Sequence, residues 1–263
     1  MLRSDSHAAV AGVDAVALKP AETDYRRIPE LHEALDTVVI DYEGHEHLPE
    51  FDAVADLANG DREVRLTTPV RADGFDPLGD DSLATELPEH VGRVVVAGHG
   101  AYLSEAEAER AVAPRFGAAV TADADAWVGT EGVERAALAT GATQFELLAR
   151  QTERAVRSLR AAGYDGEIAV YAPTVLSDDE NEILDAVGAY TARRKPVARA
   201  LPDGAAADGT ADGRAREVLS KAVRDYALVG DEETVRERVE ALREAGVDTV
   251  VAYPAAGIDA FLA

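Results

Sequence analysis

The chain has 263 residues, 47% of them hydrophobic, which suits one sizeable core and a single domain over 1–263. Fifty acidic residues against 26 Lys plus Arg give a formal net charge of −24, which argues against nucleic acid and anionic membrane as partners, since both need a basic footprint. Without cysteine there is no disulfide, thiolate nucleophile or Cys-ligated metal, and with neither a roughly 20-residue apolar span nor a signal-like stretch in MLRSDSHAAV a cytoplasmic location is expected.

In chain order, strand-like segments fall at 15–19, 37–42, 64–70, 93–97, 126–129, 168–172 and 249–253. Helix-like segments fall between them at 26–35, 50–58, 105–116, 144–162, 178–193, 214–226 and 232–245. Such alternation implies parallel strands with right-handed crossovers, an α/β chain folded as a trimmed (β/α)8 TIM-type barrel. Seven strands are explicit, and the eighth is either missing or hidden around 118–121. Ser104-x-x-Glu107 and Ser177-x-x-Glu180 read as capping boxes. Phe145, Leu148, Thr152, Ala155 and Leu159 read as one face of a helix on the sheet. Residues 71–90 show turn chemistry and little periodicity, while the low-complexity run 201–213 reads as a flexible surface insertion within the domain.

The clearest unit is the last. In LVGDEETVRERVEALREAGVDTVVAYP, Asp231 caps a helix whose first turn carries Glu232 and Glu233, and Val235, Val239 and Leu242 recur on one face. Gly246 supplies the stop, and an apolar β-branched strand runs to Pro254.

In a barrel, the residues just past each strand's C-terminal end form the mouth where ligands bind. That rule nominates Lys19, Asp41, Glu43, Thr68, Arg71, His99, Thr130, Tyr171 and Tyr253. Lys19 is one of only three lysines and suits a phosphate or carboxylate anchor or a Schiff base, with an ordinary cation paired to Glu22 or Glu43 as the alternative. Gly98-His99-Gly100 offers a backbone that approaches a ligand closely and an imidazole for acid–base work, or simply a turn from strand to helix. His45 and His47, among Asp41, Glu43 and Glu46, are either a weak metal cluster or a polar loop, and the loop reading is preferred, so no metal site is assigned. Arg193-Arg194-Lys195 matches the cations expected at a helix C-terminus. Trp127 either lines the mouth or fills the wall. No GxGxxG, GxxxxGK[ST] or GxSxG sequence occurs.

Three blocks, DTVVIDYEGHEHLPEFDAVADLANGDREVRLTTPV, EIAVYAPTVLSDDENEILDAVGAYTARR and the closing ALVGDEETVRERVEALREAGVDTVVAYP, resemble the luciferase-like superfamily of flavin- and deazaflavin-dependent barrels. With its acid excess, which molar salt screens to a Debye length of roughly 3 Å, the chain resembles a shortened member of haloarchaeal type. The resemblance implies an oxidoreductase using coenzyme F420 or FMN for hydride transfer to a small molecule. It places Asp41 and His99 near the ring as catalytic residues, and Lys19, Thr68, Arg71, Gly98, Gly100 and Tyr253 as cofactor-binding. Tyr42 stands where deazaflavin-using members carry a histidine, and the insertions that cover the cofactor are trimmed. These departures motivate the alternative of a cofactor-free barrel serving as a binding or assembly protein, a reading that formation of a homo-oligomer would favour. A lyase or hydrolase using Lys19 or the His45/His47 cluster is the third reading.

Overall fold

A computed structural model describes residues 11–129 and 132–263. Its strands are β1 (Ala15–Leu18), β2 (Thr37–Ile40), β3 (Glu63–Pro69), β4 (Val91–Val96), β5 (Trp127–Gly129), β6 (Gln144–Leu147), β7 (Ile168–Leu176), β8 (Leu228–Gly230) and β9 (Thr249–Pro254). β1 to β7 pair in sequence order, and β9 pairs with both β7 and β1, so eight parallel strands close a TIM-type barrel. β8 stands outside the ring, on Thr174–Leu176, where β7 overruns the wall. Around the barrel lie α1 (Phe51–Ala58), α2 (Ser82–Thr85), α3 (Glu105–Ala108), α4 (Val112–Ala122), α5 (Glu134–Leu138), α6 (Thr152–Ala161), α7 (Glu180–Ala192), α8 (Lys195–Ala198), α9 (Gly213–Tyr226) and α10 (Glu232–Ala245).

The eighth strand is β6, not 118–121, which lies in α4. Apolar residues from Phe145 onward happen to match helical spacing, but 144–147 alternates, with Phe145 in the barrel interior and Gln144 bonded to carbonyls of the outer layer. Only from Thr152 does the helix begin. Residues 26–35 form a 3-10 turn at Tyr25–Glu30 rather than a helix, with Pro29 inside it and Asp24 capping it. The first capping box is present at Ser104 and Glu107. The second is replaced: Asp179 caps α7 by accepting from Asn181 N–H, while Ser177 donates to Glu182. The closing unit forms as its sequence implies, with Asp231 accepting from Thr234 N–H, Gly246 at φ 109° and Val235, Val239 and Leu242 fully buried.

Inside the ring, small Ala15, Ala17 and Ala169 pack in one cluster with large Trp127, Phe145 and Tyr171, a mix of sizes that fills the interior. Trp127 therefore belongs to the core, 4.3 Å from the Arg65 guanidinium. Arg65 plugs the lower barrel by donating to the carbonyls of Arg93 and Asp125 and pairing with Glu63 at 2.5 Å. Outside, most of the helices bury their apolar stripes on the strands, and α7 and α9 enclose a separate cluster. Within 201–213, Leu201, Ala205 and Ala207 pack on that cluster, and Gly209 N–H donates to Asp185 at 2.8 Å.

Leu242→Ala leaves a void in a fully buried site where α10 meets the wall. It should cost about 2–5 kcal/mol with an unchanged m-value, measured by urea unfolding in molar KCl.

Candidate functional site

Because every barrel strand runs the same way, all the C-terminal ends open on one side, around a cavity of ≈ 650 Å³. Tyr171 of β7 and Tyr253 of β9 alternate onto this face and stack, with centroids 6.2 Å apart and planes 9° from parallel. The Tyr171 hydroxyl donates to the Asp41 carboxylate at 3.0 Å. Tyr253 donates to Glu22, which also pairs with Lys19 at 3.3 Å. The Lys19 ammonium lies 4.1 Å from the Tyr253 ring centroid. Glu43 is held by the Ala21 N–H at 2.9 Å. Burial first, and the neighbouring carboxylates second, push both phenols well above the ordinary tyrosine value, so both remain hydrogen-bond donors at neutral pH.

Of the residues nominated from sequence, Lys19, Asp41, Glu43, Gly98, His99, Tyr171 and Tyr253 border this cavity together. His99 is exposed on the rim, and its Nδ1 accepts from Ala101 N–H at 3.1 Å. Thr68 does not reach the cavity: it is fully buried and accepts from Arg93 at 3.2 Å. Arg71 and Gly100 border a neighbouring cleft instead. All three guanidinium nitrogens of Arg71 serve carbonyls, those of Ala97 (2.7 Å), Gly98 (2.8 Å) and Ala108 (2.6 Å), so this side chain pins the turn after β4. Gly98 is required there, since its φ is 87° and a Cβ would press on Leu103 and Pro69. Thr130 lies outside the described residues. Among the described residues, no three His, Asp or Glu side chains are grouped to hold a metal ion, and His45 and His47 sit on an exposed 3-10 turn.

Other mouth residues escape a sequence reading. Phe145 and Leu147 were hidden by the helical reading of β6. Tyr190, Arg193 and Arg194 come from the end of α7, which leans over the opening because β7 overruns the wall. Arg194 lies 4.3 Å from the Tyr190 ring and 5.7 Å from that of Tyr226 and bonds the Tyr190 hydroxyl, whereas Arg193 makes no ion pair with a described residue. A basic pair at the end of a helix was visible, but not where that end would point. Tyr42, just past β2, packs edge-on to Phe75, with its hydroxyl buried and without a hydrogen bond to a described residue.

This closed ring of eight parallel strands with its mouth at the strand C-termini is an α/β barrel of the TIM type. A solved "F420-dependent secondary alcohol dehydrogenase in complex with an F420-acetone adduct" shares the fold at TM-score 0.55 and 12% identity, over 92% of this chain and 94% of that one. By sequence the chain belongs to the family of unknown function DUF7388, whose model matches residues 8–261. No curated protein matches it significantly in sequence.

Burial raises Tyr42 from 10.0 to about 12. Between those pH values the unfolded chain loses a proton that the native state keeps, so stability falls as pH rises. Tyr42→Phe should make that alkaline decline shallower and leave stability at pH 8 equal or higher, by urea unfolding across pH 8–12.

Proposed function

We propose that the mouth binds the planar ring of a deazaflavin or flavin and that the protein is an oxidoreductase acting on a small molecule. The observation that carries this is the flat Tyr171–Tyr253 pair with Asp41 at its edge, at the end of a barrel shared in fold with an F420-dependent enzyme. A tricyclic ring has apolar faces and a polar edge, and the mouth offers an aromatic and aliphatic surface bordered by a carboxylate. The donor set fits such a ring. When bound, the group supplies hydride transfer.

The chain's own residues then have distinct roles. Asp41, oriented by the Tyr171 hydroxyl, accepts from N–H or O–H groups at the ring edge or on the substrate. His99 accepts at Nδ1 from the Ala101 N–H, so the neutral ring carries its proton at Nε2, from which it donates to a substrate oxygen that gains negative charge. Gly98 lets the turn approach closely. For a cofactor phosphate, Arg193 is better available than Lys19, which Glu22 and Tyr253 engage, or Arg71, which is spent on carbonyls.

Titration of the folded protein in molar KCl with coenzyme F420 and with FMN tests this reading. A ligand at about 100 times its Kd should stabilise by about 2.7 kcal/mol. Asp41→Ala should weaken that shift, and His99→Ala should lower turnover while retaining it. No shift with either cofactor would sink the reading and favour a cofactor-free binding or assembly barrel.

A further inference from the structure

A second cavity, of ≈ 860 Å³, lies beside the mouth between α5 and α6 and borders β6. It exists because α5 is only five residues long and leaves that part of the wall uncovered. On β6, Gln144 and Glu146 line it. The Gln144 amide donates to the carbonyls of Ala142 and Ala137. The Glu146 side chain, by contrast, has no hydrogen bond or ion pair with a described residue, although burial, with Glu134 adding to it, favours its protonated form. Leu138, Ala155 and Leu159 line the same cleft.

A partly buried carboxylate without a partner, in a cleft that Leu138, Ala155 and Leu159 also line, loses hydration without a compensating bond. The cations at the rim do not relieve it. Arg71 is committed to three carbonyls; Arg194 packs on two tyrosine rings and bonds the Tyr190 hydroxyl, with its buried Nε unbonded among the described residues; and Arg135 is exposed and makes no ion pair with a described residue. None of these cations pairs with Glu146, which leaves its carboxylate open to a positive charge carried on an apolar body.

We propose that the cleft between α5 and α6 binds an organic ammonium ion with an apolar chain or ring, its charge held by Glu146. The cleft shares Ala97, Gly98, His99, Leu147 and Arg194 with the mouth, yet Glu146 lines the cleft and not the mouth. A ligand seated in it lies beside the barrel opening, as a substrate arm or as an effector.

Calorimetric titration with octylammonium chloride in molar KCl, where loose adsorption to the acidic surface is screened, tests the site. One equivalent should bind, and Glu146→Gln should weaken it about ten-fold or more, while 1-octanol binds both proteins alike. Glu146→Gln removes an unpaired charge and should melt no lower than the parent, which shows that it folds. Ala155→Phe, which fills the cleft, should weaken octylammonium and octanol together. Asp41→Asn should leave octylammonium binding intact, so failure of the cofactor reading and failure of this one are distinguishable. No binding to the parent, equal affinity for Glu146→Gln, or loss only on Asp41→Asn would overturn the proposal.

Discussion

Closure of the ring by the last strand is the constraint on which the rest depends. β9 must bond β7 on one side and β1, more than 230 residues earlier, on the other. Two carboxylates secure its entry. Asp14 accepts from Val250 N–H at 2.8 Å and pairs with Arg243. Asp248 accepts from Ile168 N–H at 2.8 Å and pairs with Arg160, which also donates to the Gly246 carbonyl. Both lie at the N-terminal end of the barrel, where conserving the ring, not chemistry, is at stake.

Closure gathers the opposite strand ends into one mouth, and there the acid-rich composition acquires a structure. Glu22, Asp41 and Glu43 are each fixed by a donor from another segment, so the carboxylates stand in set positions rather than as a diffuse negative cloud. Across the opening the end of α7 brings Arg193 and Arg194, which gives the mouth an acidic side and a basic side. Uneven coverage of the outer wall has a different effect: well-covered strands bury apolar faces, while β6, beside the short α5, borders a cleft with an unpaired carboxylate.

The candidate site was legible where it follows from strand ends. Asp41, His99, Lys19 and Tyr253 sit just past apolar runs, and any parallel closure brings such positions together. Thr68 was nominated by the same rule but, one residue out of phase, its side chain turns to the outer layer, because alternation along a strand reverses direction at every residue. Arg71 was placed near the opening, yet which of its neighbours it would serve depends on the turn after β4 folding back over it.

By itself the sequence determined the barrel class, most strand and helix positions and the closing unit, since these rest on local periodicity, caps and glycine stops that neighbours only reinforce. It could not determine β6, because four residues carry too few repeats to separate a period of 2 from one of 3.6 when a helix follows at once. Nor could it determine the stacking of Tyr171 on Tyr253, the bond from Tyr171 to Asp41 across 130 residues or the isolation of Glu146. Those were decided by the tertiary structure, because register around a closed ring and the length of the covering helices set which side chains meet, and neither is encoded within any one segment.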